Sequence, residues 1–371
     1  MSSDFRICII TTNKGAYSET FIRNHIRELP FTKSVLYGGL SAISDWKTDR
    51  SLVSPYLIKL VSKITTQQTQ HLQTKYLLSF LKKKKIHAVL AEFGPVGERV
   101  VDACQQARIP LVVHFHGDDA HRTDMIHKYD GYQKLINYAQ AVVCVSQPMK
   151  EQLRELGFQD QQLHLIPYGI DIQFFGNGSP VKSEPVFLAV GRFVNKKAPH
   201  LTILAFQKVV KVVPKAKLVM VGKGPLLGVC QSLAKALQID HAIHFKGVCD
   251  SAEVAQLMKT SRAFVMHSLT PDTGEKEGTP LSILEACATG LPVVSTFHAG
   301  IPEAVIHKES GFLVNEYDIE GMADYIIKLA QDSVLAQSMG EAGRRHINIH
   351  YNLSDQISKL ATVLSQTITD T

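Results

Sequence analysis

The chain has 371 residues, of which 45% are hydrophobic and 20% are charged. At roughly 150 residues per domain this length predicts two domains, and the apolar content excludes an intrinsically disordered protein. The net charge of +6 comes from 40 basic and 34 acidic residues. This excess is too small for a general nucleic-acid-binding protein, so no nucleic-acid partner is expected. No apolar run reaches the roughly 18 residues that a membrane-spanning helix needs.

The N-terminus and the cysteines bear on the cellular compartment. The apolar stretch at 7–10 is too short for the core of a signal peptide, so we predict a cytoplasmic protein. The six cysteines are scattered without a C-x-x-C pair. This spacing favours reduced thiols over disulfides or a zinc site.

Short apolar strands alternate with segments of helical periodicity in the first half of the chain. Continuous apolar runs are typical of parallel strands that are covered on both faces, and their alternation with helices predicts a doubly wound sheet. The predicted strands are 6–10, 34–37, 88–91, 111–115, 141–145 and 163–166, and the predicted helices are 19–29, a stretch within 56–84, 97–108, 131–139 and 148–156.

A glycine- and proline-rich segment at 172–185 interrupts this rhythm and is predicted to be a linker. The strand–helix pattern then restarts, so we predict an α/β fold of two Rossmann-like, doubly wound parallel-sheet domains, at 1–175 and 186–349. Because open α/β sheets bind ligands at the carboxyl ends of their strands, we expect the site in the cleft that the two domains face. The predicted strands of the second half are 186–190, 217–221, 242–246, 263–266, 292–295 and 312–314.

The segment with the strongest features of a binding site is KEGTPLSILEACATGLPVVST, residues 276–296. Thr279 and Pro280 are typical of an N-cap and a first helical residue. The amide groups of such a helix N-terminus bind phosphate or hydroxyl oxygens. Carboxylates at Glu277 and Glu285 would accept hydrogen bonds from sugar hydroxyls. A capped helix with two surface glutamates fits the same residues.

Two loops of the second half combine cations with glycine. Arg192 and Lys197 follow the first strand of this half, and their side chains suit a diphosphate, although solvated loop cations are the alternative. After the next strand, Gly222, Gly224 and Gly228 are one residue too widely spaced for a dinucleotide fingerprint. A glycine turn that lets the backbone approach a nucleotide is the better interpretation.

Two loops of the first half are further candidates. In HFHGDDAH, residues 114–121, His116 and Asp118 fall in a loop where catalytic groups gather, whereas His114 is predicted to be a core or supporting residue. A His-x-His…Asp-Asp metal site is the less favoured alternative, because no second ligand cluster occurs. In TTNKGAYSETF, Gly15 precedes a possible helix N-terminus, although an ordinary turn fits equally well.

Together these segments resemble a known family. GRFVNKKA, GKGP, FKG and EGTPLSILEACATGLPVVS occur in the order typical of the retaining family 4 glycosyltransferases of GT-B fold. Glu277 and Glu285 match the E-x7-E element of that family. SETFI, HFHGDD and VVSTFHAGIPEAV resemble its exopolysaccharide branch, which includes enzymes of the colanic acid type. The resemblance covers nearly the whole chain.

The resemblance implies a role for each matching residue. Arg192 and Lys197 would bind the donor diphosphate, and Glu285 would bind the ribose. Glu277 would hold the donor sugar and His116 would contact it near the reacting carbon, so these two are the predicted catalytic residues. The other implied donor-binding positions are Gly15 at the phosphates, Gly247 and Val248 at the base, and Gly278, Thr279, Pro280 and Leu281 at the sugar.

The implied reaction is transfer of a hexose, with retention of configuration, from a nucleotide-diphosphate sugar to a saccharide or lipid-linked saccharide in surface polysaccharide biosynthesis. The resemblance favours a UDP-sugar over a GDP-sugar. Such enzymes need no metal cofactor, and the departing phosphate is thought to assist removal of the acceptor proton. The final helix, about 350–371, is expected to pack on the N-terminal domain.

The sequence departs from the family pattern at three positions. Ala198 stands where the family usually has Gly, and Lys223 where an acidic residue is common. Glu92, in AEFGP, stands where this branch often has His, which leaves the acceptor open.

Residues 55–85 mix leucine and isoleucine with lysine, and between residues 51 and 100 there are eight Lys or Arg against two Asp or Glu. Such a segment could form a basic amphipathic face that binds an anionic membrane peripherally; a solvated helix end is the alternative.

Two other functions stay open on the sequence alone. One is another GT-B enzyme, such as a phosphorylase or an epimerase. The other is a non-catalytic nucleotide-sugar-binding subunit of a polysaccharide assembly complex.

Overall fold

The computed structural model describes residues 5–15, 19–38, 43–54, 56, 66–176 and 178–370. Its contacts divide the chain into two compact units. One unit combines Met1–Pro167 with Ser354–Thr371, and the other is Tyr168–Leu353. Each unit has its own sheet, which confirms the predicted two-sheet α/β architecture.

The first unit contains a seven-stranded sheet in the order β3-β2-β1-β4-β5-β6-β7. All neighbouring strands are parallel except β2 and β3, which are antiparallel. The strands are β1 (Arg6–Thr11), β2 (Thr32–Tyr37), β3 (Ser44–Asp45), β4 (Ala88–Glu92), β5 (Leu111–His114), β6 (Ala141–Cys144) and β7 (Leu163–Leu165). The helices are α1 (Thr20–Glu28), α2 (Thr66–Lys83), α3 (Gly94–Ala107), α4 (Asp118–His121), α5 (Thr123–Lys128), α6 (Gln133–Tyr138) and α7 (Gln147–Glu155).

The central strands of this sheet are covered on both faces. All residues of β4, β5 and β6 are buried, as are five of the six residues of β1. The order of the strands reverses between β1 and β4, and ligands of doubly wound sheets bind at such a switch point. Gly15 and His116 lie in the loops that leave β1 and β5 at this edge, and Glu92 is the last residue of β4.

The second unit contains a six-stranded, fully parallel sheet in the order β10-β9-β8-β11-β12-β13. Its switch point lies between β8 and β11. The strands are β8 (Val186–Val190), β9 (Lys217–Val221), β10 (Ile243–Gly247), β11 (Ala263–Val265), β12 (Val293–Thr296) and β13 (Gly311–Val314). The helices are α8 (Ile172–Phe175), α9 (Pro199–Val212), α10 (Leu227–Ala236), α11 (Ser251–Thr260), α12 (Leu281–Thr289), α13 (Ile301–Ala304), α14 (Ile319–Gln331) and α15 (Ser333–His350).

The chain crosses from one unit to the other twice, and the two crossing segments are hydrogen-bonded to each other. The amide of Ile170 donates to the carbonyl of Tyr351 (2.8 Å), and the amide of Leu353 donates to the carbonyl of Ile170 (3.1 Å). Residues 168–175, which we assigned to the first domain, have their contacts in the second unit because α8 packs against α12. The last helix, α16 (Leu353–Thr369), lies from Ser354 onward in the first unit.

Much of the predicted membrane segment, at 55 and 57–65, lies outside the described residues. Two apolar residues of its remaining part, Leu77 and Leu81, are buried because α2 packs against α3, so they do not belong to an exposed apolar face. The lysines at 82–85 are exposed. None of the described helices is both long and apolar enough to cross a bilayer.

Candidate functional site

The two predicted phosphate ligands lie in the loop between β8 and α9. The side chain of Arg192 is exposed, whereas Lys197 ends a short 3-10 turn and its side chain is only 12% exposed. The amide of Gly191 donates to the carbonyl of Val221 (3.0 Å). The loop is thereby fixed against the end of β9, and Lys197 lies at the carboxyl edge of the sheet.

Two glycines after β9 allow the loop that follows this strand to pack closely against the loop that follows β8. Gly222 has φ +136°, and a Cβ there would lie 2.0 Å from the carbonyl oxygen of Gly191. A Cβ on Gly224 would lie 2.4 Å from the carbonyl oxygen of Phe193. Gly228, by contrast, lies inside α10 with open space around it. The structure thus gives Gly222 and Gly224 a packing reason, because the neighbouring loop occupies the space that a side chain would need; the approach of this backbone to a nucleotide stays a prediction.

Gly247 and Val248, which are predicted to bind the base, lie at the same edge of the sheet. The amide of Gly222 donates to the carbonyl of Gly247 (2.7 Å) at the end of β10. Gly247 has φ +78°, a Cβ on it would meet nothing within 4 Å, and Val248 is 47% exposed. Backbone hydrogen bonds thus link the ends of β8, β9 and β10, and they bring Arg192 and Gly247 to one edge of the second unit.

Lys197 and Glu277 form a buried ion pair. Lys197 Nζ lies 3.2 Å from Glu277 Oε1, and the Glu277 side chain is 9% exposed. Burial alone would raise the pKa of Glu277, but the charges of Lys197 and Lys196 outweigh burial and lower the pKa to about 2. Burial also lowers the pKa of Lys197, and the charge of Glu277 opposes that shift. Glu277 is therefore a carboxylate at neutral pH.

The backbone of Glu277 is held by a neighbouring loop. Its amide donates to His298 Nε2 (3.2 Å), and His298 Nδ1 lies 2.7 Å from Glu316 Oε1. The amide of Gly300 donates to the carbonyl of Gly278 (3.1 Å). The sequence gives no sign of this support because His298 follows Glu277 by 21 residues in a segment of no obvious periodicity.

The helix after Glu277 begins later than predicted. It starts at Leu281, and Pro280, with ψ 119°, occupies the N-cap position without a side-chain cap. Thr279 is buried and is not the N-cap, because extended backbone at Pro280 separates it from the first helical residue. Glu285 lies about one turn into the helix, where burial raises its pKa to about 7.

In the first unit, His116 belongs to a buried cluster around Glu92. His25 Nδ1 lies 2.7 Å from Glu92 Oε1, and His116 Nε2 lies 2.9 Å from Glu92 Oε2. Burial would raise the pKa of Glu92, but the charge of His25 and hydrogen bonds from both imidazoles hold the pKa well below its usual range. A carboxylate only accepts hydrogen bonds, so both imidazole nitrogens that face Glu92 carry a proton.

The rings of Phe21, Phe93 and His114 surround His116. Phe21 and His114 each stack with His116, with ring centroids 4.3 Å and 4.4 Å apart, and Phe93 meets it edge-on at 4.5 Å. The His116 side chain is therefore only 4% exposed. His114 is buried, as predicted, and burial lowers its pKa well below the usual value.

The described residues do not fit the His-x-His…Asp-Asp metal alternative. The carboxylate of Asp119 accepts hydrogen bonds from the amides of Gly94, His116 and Gly117 and so fixes the loop. Ligand atoms of Glu92, His114 and His116 do lie within 4.8 Å of one another. The rings of His114 and His116 are, however, within 8° of parallel. Lone pairs in two stacked ring planes cannot both point at one ion about 2.1 Å away.

Three further predicted positions differ in their surroundings. Gly15 has φ +83°, and nothing lies within 4 Å of the position a Cβ would take. Asp118 is the first residue of α4. Gly278 is buried beside Glu277. The pairing of Glu92 with His25 was not predicted, because 67 residues separate them and only the fold brings them together.

Two known protein families match the part of the chain that contains most of these residues. Residues 171–346 match the family model described as Glycosyl transferases group 1, and residues 65–174 match the one described as Glycosyltransferase Family 4. The two matches overlap at 171–174, a few residues after the second unit begins, and together contain every candidate residue except Gly15 and His25.

Two curated relatives are similar over most of the chain. A protein of Escherichia coli (strain K12) named as a colanic acid biosynthesis glycosyltransferase is 28% identical over 248 residues, which are 65% of this chain and 61% of that relative. An amylovoran biosynthesis glycosyltransferase of Erwinia amylovora is 26% identical over 256 residues, which are 68% of this chain and 63% of that relative. The chain therefore matches somewhat under two thirds of the length of either relative.

A solved structure shares the fold. The crystal structure of Anabaena Alr3699/HepE in complex with UDP has a TM-score of 0.78 with this chain at 16% identity, and the match covers 98% of this chain and 100% of that one. With the two family matches, this similarity confirms the resemblance that the motifs indicated: the chain belongs to the family 4 glycosyltransferases of GT-B fold and has relatives in exopolysaccharide biosynthesis.

Proposed function

We propose that this chain transfers a hexose from a nucleotide-diphosphate sugar to a saccharide or lipid-linked saccharide, with retention of configuration, in surface polysaccharide biosynthesis. The observation that carries the proposal is the buried ion pair of Lys197 and Glu277. Taking two charges out of water is costly, and an apolar pair would fill the same space at lower cost. A ligand that needs both charges explains why they are there.

The cation side of this pair suits the leaving group. When the bond to the donor sugar breaks, negative charge accumulates on the nucleoside diphosphate. Preorganised cations in a site of low water content stabilise such charge strongly. Lys197 is fixed by burial, and the exposed Arg192 can add a planar fork of donors. A UDP-sugar is the proposed donor, with a GDP-sugar as the alternative.

The carboxylate side suits the hydroxyl groups of the donor. Glu277 is ionised at neutral pH and accepts hydrogen bonds only, so it can hold a sugar hydroxyl beside the reacting carbon. We assign the ribose to Glu285, the base to the exposed backbone at Gly247 and Val248, and the remaining sugar contacts to the backbone from Gly278 to Leu281.

From the first unit we assign His116 to the transferred sugar and Gly15 to the phosphates. His116 is held by Glu92 and by three aromatic rings, so its orientation is fixed before any ligand binds. The open space around Gly15 leaves room for a phosphate oxygen to approach the backbone. The proposed reaction needs no metal ion, because the departing phosphate takes the proton of the acceptor hydroxyl.

Release of UDP or GDP from a panel of nucleotide sugars, in EDTA and with saccharide acceptors, tests this function. We expect one donor class to be turned over. Arg192→Ala combined with Lys197→Ala should lower turnover by about 100-fold or more, since each removed donor to a developing oxyanion typically costs that much. Lys211→Ala combined with Lys215→Ala removes two exposed cations of the same unit and is the matched control.

Three results would contradict parts of the proposal. Turnover by the Arg192/Lys197 variant at the rate of the control would refute the phosphate assignment. Selective nucleotide binding without turnover of any donor would favour a non-catalytic subunit. An inverted product would refute retention of configuration.

A further inference from the structure

We propose that His298 and Glu316 form a positioning pair that fixes the backbone of Glu277 and thereby aims the Glu277 carboxylate at the donor sugar. This inference rests on the proposed function, because it assigns a purpose to the support beneath Glu277. His298 lies in VVSTFHAGIPEAV, a segment to which the sequence analysis gave no catalytic or donor-binding role, and Glu316 lies outside the quoted motifs. Both act through Glu277 and neither is proposed to touch the substrate.

His298 is buried beside the backbone of Glu277, and Glu316, behind it, is half-buried. The side chain of His298 is 1% exposed. One of its ring nitrogens, Nε2, accepts the hydrogen bond of the Glu277 amide at 3.2 Å. The other, Nδ1, lies 2.7 Å from Glu316 Oε1. His298 thus joins a backbone donor on one side to a carboxylate on the other.

These contacts fix the tautomer of His298. A backbone amide can only donate, so Nε2 must carry no proton, and the proton of the neutral ring must lie on Nδ1. That proton then points at Glu316, which accepts it. Burial lowers the pKa of His298 despite the hydrogen bond to Glu316, in agreement with a neutral ring. A protonated Nε2 would face the Glu277 amide donor to donor.

Further hydrogen bonds hold the carboxylate of Glu316 in position. The amide of Thr270 donates to Oε2 (2.9 Å) and the hydroxyl of Thr270 donates to Oε1 (3.3 Å). With His298, three donors therefore converge on two oxygens, an arrangement that only an ionised carboxylate satisfies fully. Burial would raise the pKa of Glu316, but these hydrogen bonds lower it.

The hydrogen bonds tie together the loops that leave three neighbouring strands. Thr270 follows β11, His298 follows β12 and Glu316 follows β13. Ala299 has φ +45° and Tyr317 has φ +67°, both in the left-handed region that residues other than glycine rarely adopt. Each of these two residues comes directly after a member of the pair. Left-handed backbone of this kind persists where surrounding contacts impose it, and it concentrates at functional sites.

Two substitutions at His298 separate a positioning role from simple filling of space. In His298→Gln the amide oxygen can accept from the Glu277 amide while the NH2 group donates to Glu316. His298→Leu fills a similar volume and offers neither bond. We expect kcat to fall about 100-fold in His298→Leu, the typical cost of a misplacement of roughly 1 Å, and to recover to within about tenfold of wild type in His298→Gln. The affinity for UDP itself should change less than kcat in either variant, because His298 is bonded to the backbone of Glu277 and to Glu316 rather than to a phosphate ligand.

Glu316→Gln tests the other member of the pair. An amide cannot accept all three donors, so it either loses Thr270 or turns a donor toward His298. We expect turnover to fall in this variant, with the exposed Glu320→Gln as the matched control. Thermal melting of each variant is recorded first, and His298→Gln and Glu316→Gln decide the outcome if His298→Leu does not fold.

The tautomer can be read without any activity assay. In wild-type protein, 15N NMR of the His298 ring should show a protonated Nδ1 and an unprotonated Nε2, with the exposed His244 as the internal reference. A protonated Nε2 in the wild type, or turnover by His298→Leu equal to that of His298→Gln, would overturn the positioning role. If the wild type turns over no donor at all, the proposed function fails. The NMR result then still decides whether His298 holds Glu277.

Discussion

The ion pair of Lys197 and Glu277 yields the most quantitative prediction. Substitution of Lys197 by Met keeps the length of the side chain and removes its charge, which leaves Glu277 buried without its cation. Lys197, with a smaller contribution from Lys196, overcomes the effect of burial and holds the pKa of Glu277 at about 2 against an ordinary value of 4.5. A difference of one pKa unit corresponds to about 1.4 kcal/mol, so this difference corresponds to about 3 kcal/mol. That figure lies at the lower end of the roughly 3–5 kcal/mol typical for breaking a buried pair.

The sign of the pH dependence follows from the lowered pKa. The stabilisation is fully present above pH 4.5, where Glu277 is ionised in both the folded and the unfolded chain. It is lost as the pH falls from 4.5 toward 2. The difference in stability between wild type and Lys197→Met should therefore be largest near pH 7 and should shrink below pH 4.

Differential scanning calorimetry is the appropriate assay because it can separate the transitions of the two units. For a unit of this size, 1 kcal/mol shifts Tm by roughly 2–4 °C, so Lys197→Met should lower Tm of the second unit by about 6–12 °C. The matched control is Lys197→Met combined with Glu277→Gln, which removes the stranded charge and should recover most of the loss. A single variant that melts within about 1 °C of wild type, or a double variant as unstable as the single, would refute this reasoning.

Four further predictions follow from particular residues. Because burial raises the pKa of Glu285 to about 7, the free energy of unfolding falls as the pH rises from 4.5 to 7. Calorimetry should therefore give Glu285→Gln a higher Tm than wild type at pH 8 and the same Tm at pH 4. Titration should show that its affinity for UDP is reduced about tenfold. An equal Tm of the two proteins at pH 8 would contradict the burial of Glu285. Gly222→Ala should lower Tm, since its Cβ would lie 2.0 Å from the Gly191 oxygen, whereas Gly228→Ala should be neutral or slightly stabilising; equal effects would contradict the loop packing. His116→Ala should lower the transfer rate more than the nucleotide affinity, with the exposed His127→Ala as control, and the reverse pattern would leave His116 a binding role only. Vesicles that contain anionic lipid should carry the protein in flotation more than neutral vesicles do, and neutralising the exposed lysines at 82–85 should remove the difference; indifference to anionic lipid would refute the membrane contact.

The fold could be predicted closely from the sequence because its strands are covered on both faces. Every predicted strand lies within two residues of an observed one, since apolar runs bounded by turns give both the type and the limits of a buried strand. Among the described strands, only β3 was missed. It has two polar residues, Ser44 and Asp45, and too few positions to show any periodicity.

The candidate site could be predicted only in part. Arg192, Lys197 and Glu277 could be found because each directly follows a strand or precedes a helix in one stretch of sequence. The supporting contacts of the site could not be predicted, since the pairing of His25 with Glu92 and of His298 with Glu316 depends on which strands are neighbours. The helix start near Thr279 was wrong because a Thr-Pro pair fits both an N-cap and an extended approach to the helix.

The most direct test of the proposed donor site is a calorimetric titration of UDP and GDP into the wild type and into Arg192→Ala with Lys197→Ala, in EDTA. We expect the wild type to bind one nucleotide selectively, the variant to bind it at least tenfold more weakly, and Lys211→Ala with Lys215→Ala to bind like the wild type. Wild-type protein that is folded and binds neither nucleotide, or a variant that binds as tightly as the wild type, would contradict the assignment of the second unit as the donor site.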